Sequence, residues 1–175
     1  MKRPRDRGEL PPRNSDNDKR KLRAEPSTEM LANLAQRVSY AGISKHKAEP
    51  LAFGLPLYTK ARGDETLCDE HANFTPQDMP TAPMLLVREI HAGLISKSEN
   101  QGDPAIIWTV AGSGWIFEAR VTNPGYALYH GFPVRTSEAI AEKVFRRYVA
   151  WVAISGGAED MAAAERCRDL YGFRA

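Results

Sequence analysis

Cysteine is scarce in this chain: Cys68 and Cys167 are the only two among 175 residues. Two thiols cannot build a disulfide framework, and their scarcity fits a reducing cytosol, so a cytoplasmic protein is expected. No run of about 18 apolar residues occurs, so no membrane-spanning helix and no membrane partner are expected. The N-terminus is charged and has no apolar segment of the secretory type. Phosphate-loop chemistry is excluded by the absence of any G-x-x-x-x-G-K-[ST]. Cys68-Asp69-Glu70-His71 supplies only half of a zinc set. No second C-x-x-C or H-x-x-x-H completes it, so neither a metal nor another cofactor is expected.

What is present is unevenly distributed. Residues 1–25 carry nine Lys/Arg against five acids, and the remainder carries 15 against 17. A basic, proline-dotted tail over residues 1–26 is therefore expected to be disordered, followed by one domain over 27–175. Removal of the tail is expected to leave the melting temperature unchanged. Attraction to nucleic acid must then come from the tail or from a local patch. One such patch spans residues 36–62, where Arg37, Lys45, Lys47, Lys60 and Arg62 face a single acid, Glu49.

The centre of the chain reads as a three-stranded meander. Ala105–Ala111 is β-rich, and Gly112-Ser113-Gly114 makes a short hairpin connection. A second strand runs from Trp115 to Thr122 and is broken by Asn123-Pro124-Gly125. A third strand spans Tyr126–Phe132 and stops at Pro133. Helices are expected around it. Ser27 or Thr28 caps the first, with Met30, Leu31, Leu34 and Val38 at helical spacing and an end near Tyr40–Gly42. Met84–Ile95 forms the second, with His91 as a core or boundary residue. Thr136 or Ser137 caps a third, which Gly156-Gly157 stops, and Ala158–Leu170 forms a fourth. Little regular structure is expected over residues 50–83, which hold five prolines. The fold class is thus α+β: an antiparallel three- to four-stranded sheet flanked by N- and C-terminal helices.

Alternation along the second strand places Glu118, Arg120 and Thr122 on one face. A carboxylate, a guanidinium and a hydroxyl at i, i+2, i+4 can touch one ligand lying across the sheet. His130 falls on the third strand, and His46 sits between Lys45 and Lys47, whose charges lower an exposed imidazole's pKa. Brought together, these groups suit RNA cleavage without metal. His46 or Glu118 is the base for the 2′-hydroxyl, and His130 is the acid for the leaving 5′-oxygen. Arg120, with Lys47 or Lys45, stabilises charge on phosphorus, and Tyr129 stacks a base.

In the order of helices, a histidine–lysine element and then a sheet bearing Glu118, Arg120 and Thr122, the chain resembles small bacterial toxin ribonucleases. This is the barnase, EndoU, colicin and RelE-like group. The resemblance covers roughly residues 28–135 and rests on architecture and residue types rather than a strict motif. It implies RNA as substrate, a toxin or defence role, and an inhibitory partner protein. The alternative reading is a non-enzymatic regulatory module that binds nucleic acid or a partner. Whether His46, Glu118, Arg120 and His130 converge separates the two.

Overall fold

The computed structural model describes residues 18–174. Helix α1 (Thr28–Arg37) starts where the Ser27 hydroxyl accepts from Met30 N, satisfying one of the donors that a helix start leaves open. It ends before the expected Tyr40–Gly42, because Ser39–Tyr40 form a two-residue strand, β1. Residues 50–83 carry only short turns of helix: 3₁₀ turns at Pro50–Phe53 and Pro76–Thr81, and α2 (Cys68–Ala72). Helix α3 (Ala82–His91) has Pro83 in its first turn and stops at Gly93, whose φ of 74° is left-handed. Its buried side is Leu86, Glu89 and Ile90; His91, expected as a core or boundary residue, is exposed.

A small ladder, β2 (Glu99–Asn100) with β3 (Asp103–Pro104), precedes the main sheet. The meander follows as read: β4 (Ile106–Val110), β5 (Ile116–Asn123) and β6 (Leu128–Pro133), all antiparallel. The sheet order is β1-β6-β5-β4, with β1 added parallel to β6. Helices α4 (Ala139–Ser155) and α5 (Ala158–Tyr171) close the chain. Glu138, not Thr136 or Ser137, takes the N-cap position of α4.

Both sheet faces are packed, each by a different pair of helices. On one face Trp108, Val110, Ile116 and Val134 meet Ile140, Val144 and Tyr148 of α4. The Tyr171 hydroxyl fastens α5 to this core by donating to Val134 O and accepting from Ile116 N. On the other face Ile107, Ala119 and Tyr129 meet Leu34 of α1 with Leu86 and Ile90 of α3. The α4–α5 core covers only one end of the first face. Its other end, carrying Glu118, Arg120, Thr122 and His130, is left to polar groups.

The tail expectation is corrected from residue 18 onward, while residues 1–17 lie outside the described part. A 3₁₀ turn (Asp18–Arg20) leads into residues 21–23, which lie antiparallel to 95–97. Arg23 N donates to Ile95 O at 2.9 Å, Lys97 N to Lys21 O at 2.7 Å and Ser98 Oγ to Lys19 O at 2.9 Å. Arg147 donates to Arg23 O and Gly93 O, and Leu22 packs against the α4–α5 core. The side chain of Arg20, at the start of this segment, is buried.

Candidate functional site

On β5 and β6 the register places Glu118 opposite Phe132 and Arg120 opposite His130. His46 arrives from a 3₁₀ turn (Ser44–His46) and lays its ring on Phe132, with centroids 4.7 Å apart. It also stacks on His130, with centroids 5.7 Å apart and planes within 12°. The loop is held there by residues 66–68, which run along β6 beyond the short β1. The Thr66 hydroxyl donates to Pro133 O and the Cys68 thiol to Gly131 O.

Both rings are tied at Nδ1. His46 Nδ1 lies 3.4 Å from the Thr66 carbonyl oxygen, which can only accept, so that nitrogen carries the proton and Nε2 keeps its lone pair. His130 Nδ1 is 2.6 Å from Thr122 Oγ1, a hydroxyl that accepts from Nδ1–H or donates to a bare Nδ1, so the contact serves both the neutral and the protonated ring. Burial pushes the His46 pKa down to about 4, helped by the neighbouring His130, Lys45 and Lys47, against the Thr66 carbonyl. His130 is likewise pushed down to about 4, by burial first and then by Arg120, Lys45 and Lys47.

Glu118 is not the base expected of it. It has 0% exposure and all its acceptor positions face donors. Arg120 clasps Oε1 through Nε and Nη2, both at 2.8 Å. Arg20 clasps Oε2 through Nε at 2.8 Å and Nη2 at 2.7 Å, and the Trp108 indole adds a third donor at 3.2 Å. Arg20 then reaches Glu138 at 2.6 Å. A carboxylate so enclosed holds the two arginines in place and is closed to a ligand. Arg120 is the exposed end of the network: its side chain is 46% accessible and its guanidinium lies 5.3 Å from the Phe132 ring centre.

Two expected ligand contacts are also corrected. The Lys47 ammonium is fully buried between the rings of Phe53 and Phe74, 5.2 and 5.3 Å from their centres, and cannot reach a bound phosphate. Tyr129 points to the opposite face, has 0% exposure and donates its hydroxyl to Pro104 O, so it cannot stack a base. Lys45 remains at the mouth, half exposed and 3.5 Å from Glu65. The structure thus brings together His46, His130, Arg120, Thr122 and Lys45, with Glu118 beneath.

Sequence reasoning missed Arg20, Phe132, Thr66 and Trp108 as parts of this site. Arg20 lies in a 3₁₀ turn (Asp18–Arg20), and nothing in the sequence set it apart from the eight other Lys/Arg of the first 25 residues. Among the described residues no group of three or more His, Cys, Asp or Glu side chains is placed to hold a metal ion. No helix of the described residues is long and apolar enough to cross a membrane. A cleft of about 780 Å³ opens on the other face of the sheet between α3 and α5. Phe74, Phe117, Met84 and Leu170 line it, and neither paired histidine does. Comparison of the chain with family models, curated proteins and solved structures found no match.

Proposed function

We propose that this domain is a ribonuclease that cleaves single-stranded RNA by acid–base chemistry, in a toxin or defence setting. The observation that carries the reading is the stacked His46–His130 pair, tied at both Nδ1 atoms and bordered by Arg120 and Lys45. His46 Nε2 removes the 2′-hydroxyl proton, and O2′ attacks phosphorus. The bond from phosphorus to O5′ breaks as His130 delivers a proton to that oxygen, leaving a 2′,3′-cyclic phosphate. Arg120 and Lys45 stabilise the charge that builds on the phosphoryl oxygens. Neither histidine is charged in the free protein at neutral pH, so the acid must be loaded with substrate. A phosphodiester beside Arg120 offsets the cations that depress His130 and raises its pKa.

The convergence of these groups favours this reading over the passive docking module, which has no need to stack two imidazoles beside a guanidinium. The test is cleavage of a labelled single-stranded RNA by the full chain, with and without chelator. Wild type is expected to give 2′,3′-cyclic ends, and His46→Ala and His130→Ala to lose cleavage by at least about 100-fold with thermal unfolding retained. Intact RNA with wild type, or full cleavage by either variant, sinks the proposal. An inhibitory partner of acidic character would fit the same basic mouth.

A further inference from the structure

Beyond the paired histidines, the hairpin that carries Thr122 and His130 ends in a turn of unusual construction. Gly125 and Ala127 both have left-handed backbone, with φ of 83° and 49°. Alanine adopts that conformation only under constraint. The constraint is Asp103: its Oδ2 accepts from Gly125 N at 2.9 Å and from Ala127 N at 3.0 Å. The residue between those two donors is Tyr126, which the turn holds outward at 74% exposure. Asp103 itself is buried, and its other oxygen accepts from Arg37 Nη2 at 2.9 Å. One sequestered carboxylate therefore anchors both the turn that presents Tyr126 and a half-exposed guanidinium.

Single exposed apolar side chains are ordinary on protein surfaces. Tyr126 differs in that the backbone on both sides of it is held, by Asp103 at Gly125 N and Ala127 N, with a cation anchored on the same carboxylate and a position four residues along the chain from His130. At a strand's rise of about 3.3 Å per residue this is at most about 13 Å, a short run of nucleotides from the scissile phosphate. Rigid aromatics beside cations are how proteins hold unpaired bases, because every base offers a face to stack and little entropy is lost. We infer that Tyr126 and Arg37 form a nucleotide subsite at the hairpin tip, the ring stacking an unpaired base and the guanidinium holding its phosphate. This rests on the ribonuclease reading for its choice of ligand. It also supplies the stacking group that the buried Tyr129 cannot be.

The experiment uses a fluorescently labelled single-stranded oligonucleotide with 2′-O-methyl sugars, which binds but lacks the attacking hydroxyl, and follows anisotropy with the full chain. Tyr126→Ala is expected to weaken binding by about 5- to 100-fold while Tyr126→Trp keeps it. Arg37→Gln should reduce the slope of log K against log salt by about 0.7. Cleavage of a ribodinucleotide, too short to reach the tip, should be the same in Tyr126→Ala as in wild type. Unchanged oligonucleotide affinity in Tyr126→Ala, or no binding by wild type at low salt, overturns the subsite. The first result would leave the tip as a protein-docking feature. If wild type binds through Tyr126 yet cleaves nothing, the ribonuclease reading fails and the subsite stands. If wild type cleaves but binds independently of Tyr126, the subsite fails and the ribonuclease reading stands.

Discussion

Arg20→Met tests whether the N-terminal segment belongs to the fold. The guanidinium is buried and faces two buried carboxylates, Glu118 at 2.7 Å and Glu138 at 2.6 Å. Methionine fills the same channel with a neutral chain, so packing is largely kept and the charge is what is lost. Glu118 retains Arg120, but Glu138 loses an ionic partner in a site with little water. Removing one partner of a buried pair costs about 3–5 kcal/mol. For a domain of this size each kcal/mol moves the melting temperature about 2–4 °C, so the drop should be about 6–20 °C. Thermal unfolding at pH 7 followed by circular dichroism measures it. Arg20→Met with Glu138→Gln should lose less than the sum of the single changes, because the second substitution removes the stranded charge. Amide exchange at Arg23 and Lys97, both hydrogen-bonded across the added segment, should accelerate in the single variant. A drop under about 2 °C, with exchange unchanged, would show that residues 18–23 are not held in this position.

Stability should rise with pH between about 4.5 and 6.5. His46 and His130 have native pKa values near 4, below the unfolded 6.5, so their contribution is present above 6.5 and lost as pH falls through 4. Glu89, pushed up to about 7 by burial, runs the other way, its contribution being lost as pH rises through that value. Two groups against one leave a net gradient of at most about 1.4 kcal/mol per pH unit, reduced for the partly exposed His130. Urea titrations across the range check this, and His130→Ala should flatten the gradient; a wild-type gradient of opposite sign contradicts the histidine burial. Gly114→Ala should destabilise by about 2–5 kcal/mol, since φ is +90° and an added Cβ would lie 2.6 Å from the Arg166 backbone. Full stability in that variant would mean that α5 does not pack on the β4–β5 turn.

The meander was legible because β-branched and aromatic runs are punctuated by Gly112-Ser113-Gly114 and by Asn123-Pro124-Gly125, which a helix or central strand cannot contain. Ser27 marked the start of α1 for the same local reason. Strand β1 was not legible: two residues carry no period, and its parallel partner β6 is remote in the sequence. Parity placed Glu118, Arg120 and Thr122 on one face, and that placement holds. Parity says nothing of depth. The α4–α5 core and the Arg20 segment seal Glu118 while leaving Arg120 half exposed two residues away. Arg20 itself was hidden by composition, since nine basic residues in 25 read as a solvated tail.

The ion network and the paired rings make one electrostatic arrangement. Arg120, Glu118, Arg20 and Glu138 alternate in sign along successive contacts of 2.8, 2.7 and 2.6 Å. The floor of the site is therefore balanced, and only its Arg120 end meets solvent. That end and Lys45 lie against imidazoles already depressed by burial, so in the free protein the site concentrates positive charge without protonated histidine. On the proposed reading a phosphodiester removes the second cause of the depression and leaves the first. Protonation of His130 then follows substrate entry, and His46, tied to the Thr66 carbonyl, stays the base. A surface built only to dock a partner would gain nothing from placing its histidines where binding an anion changes their charge.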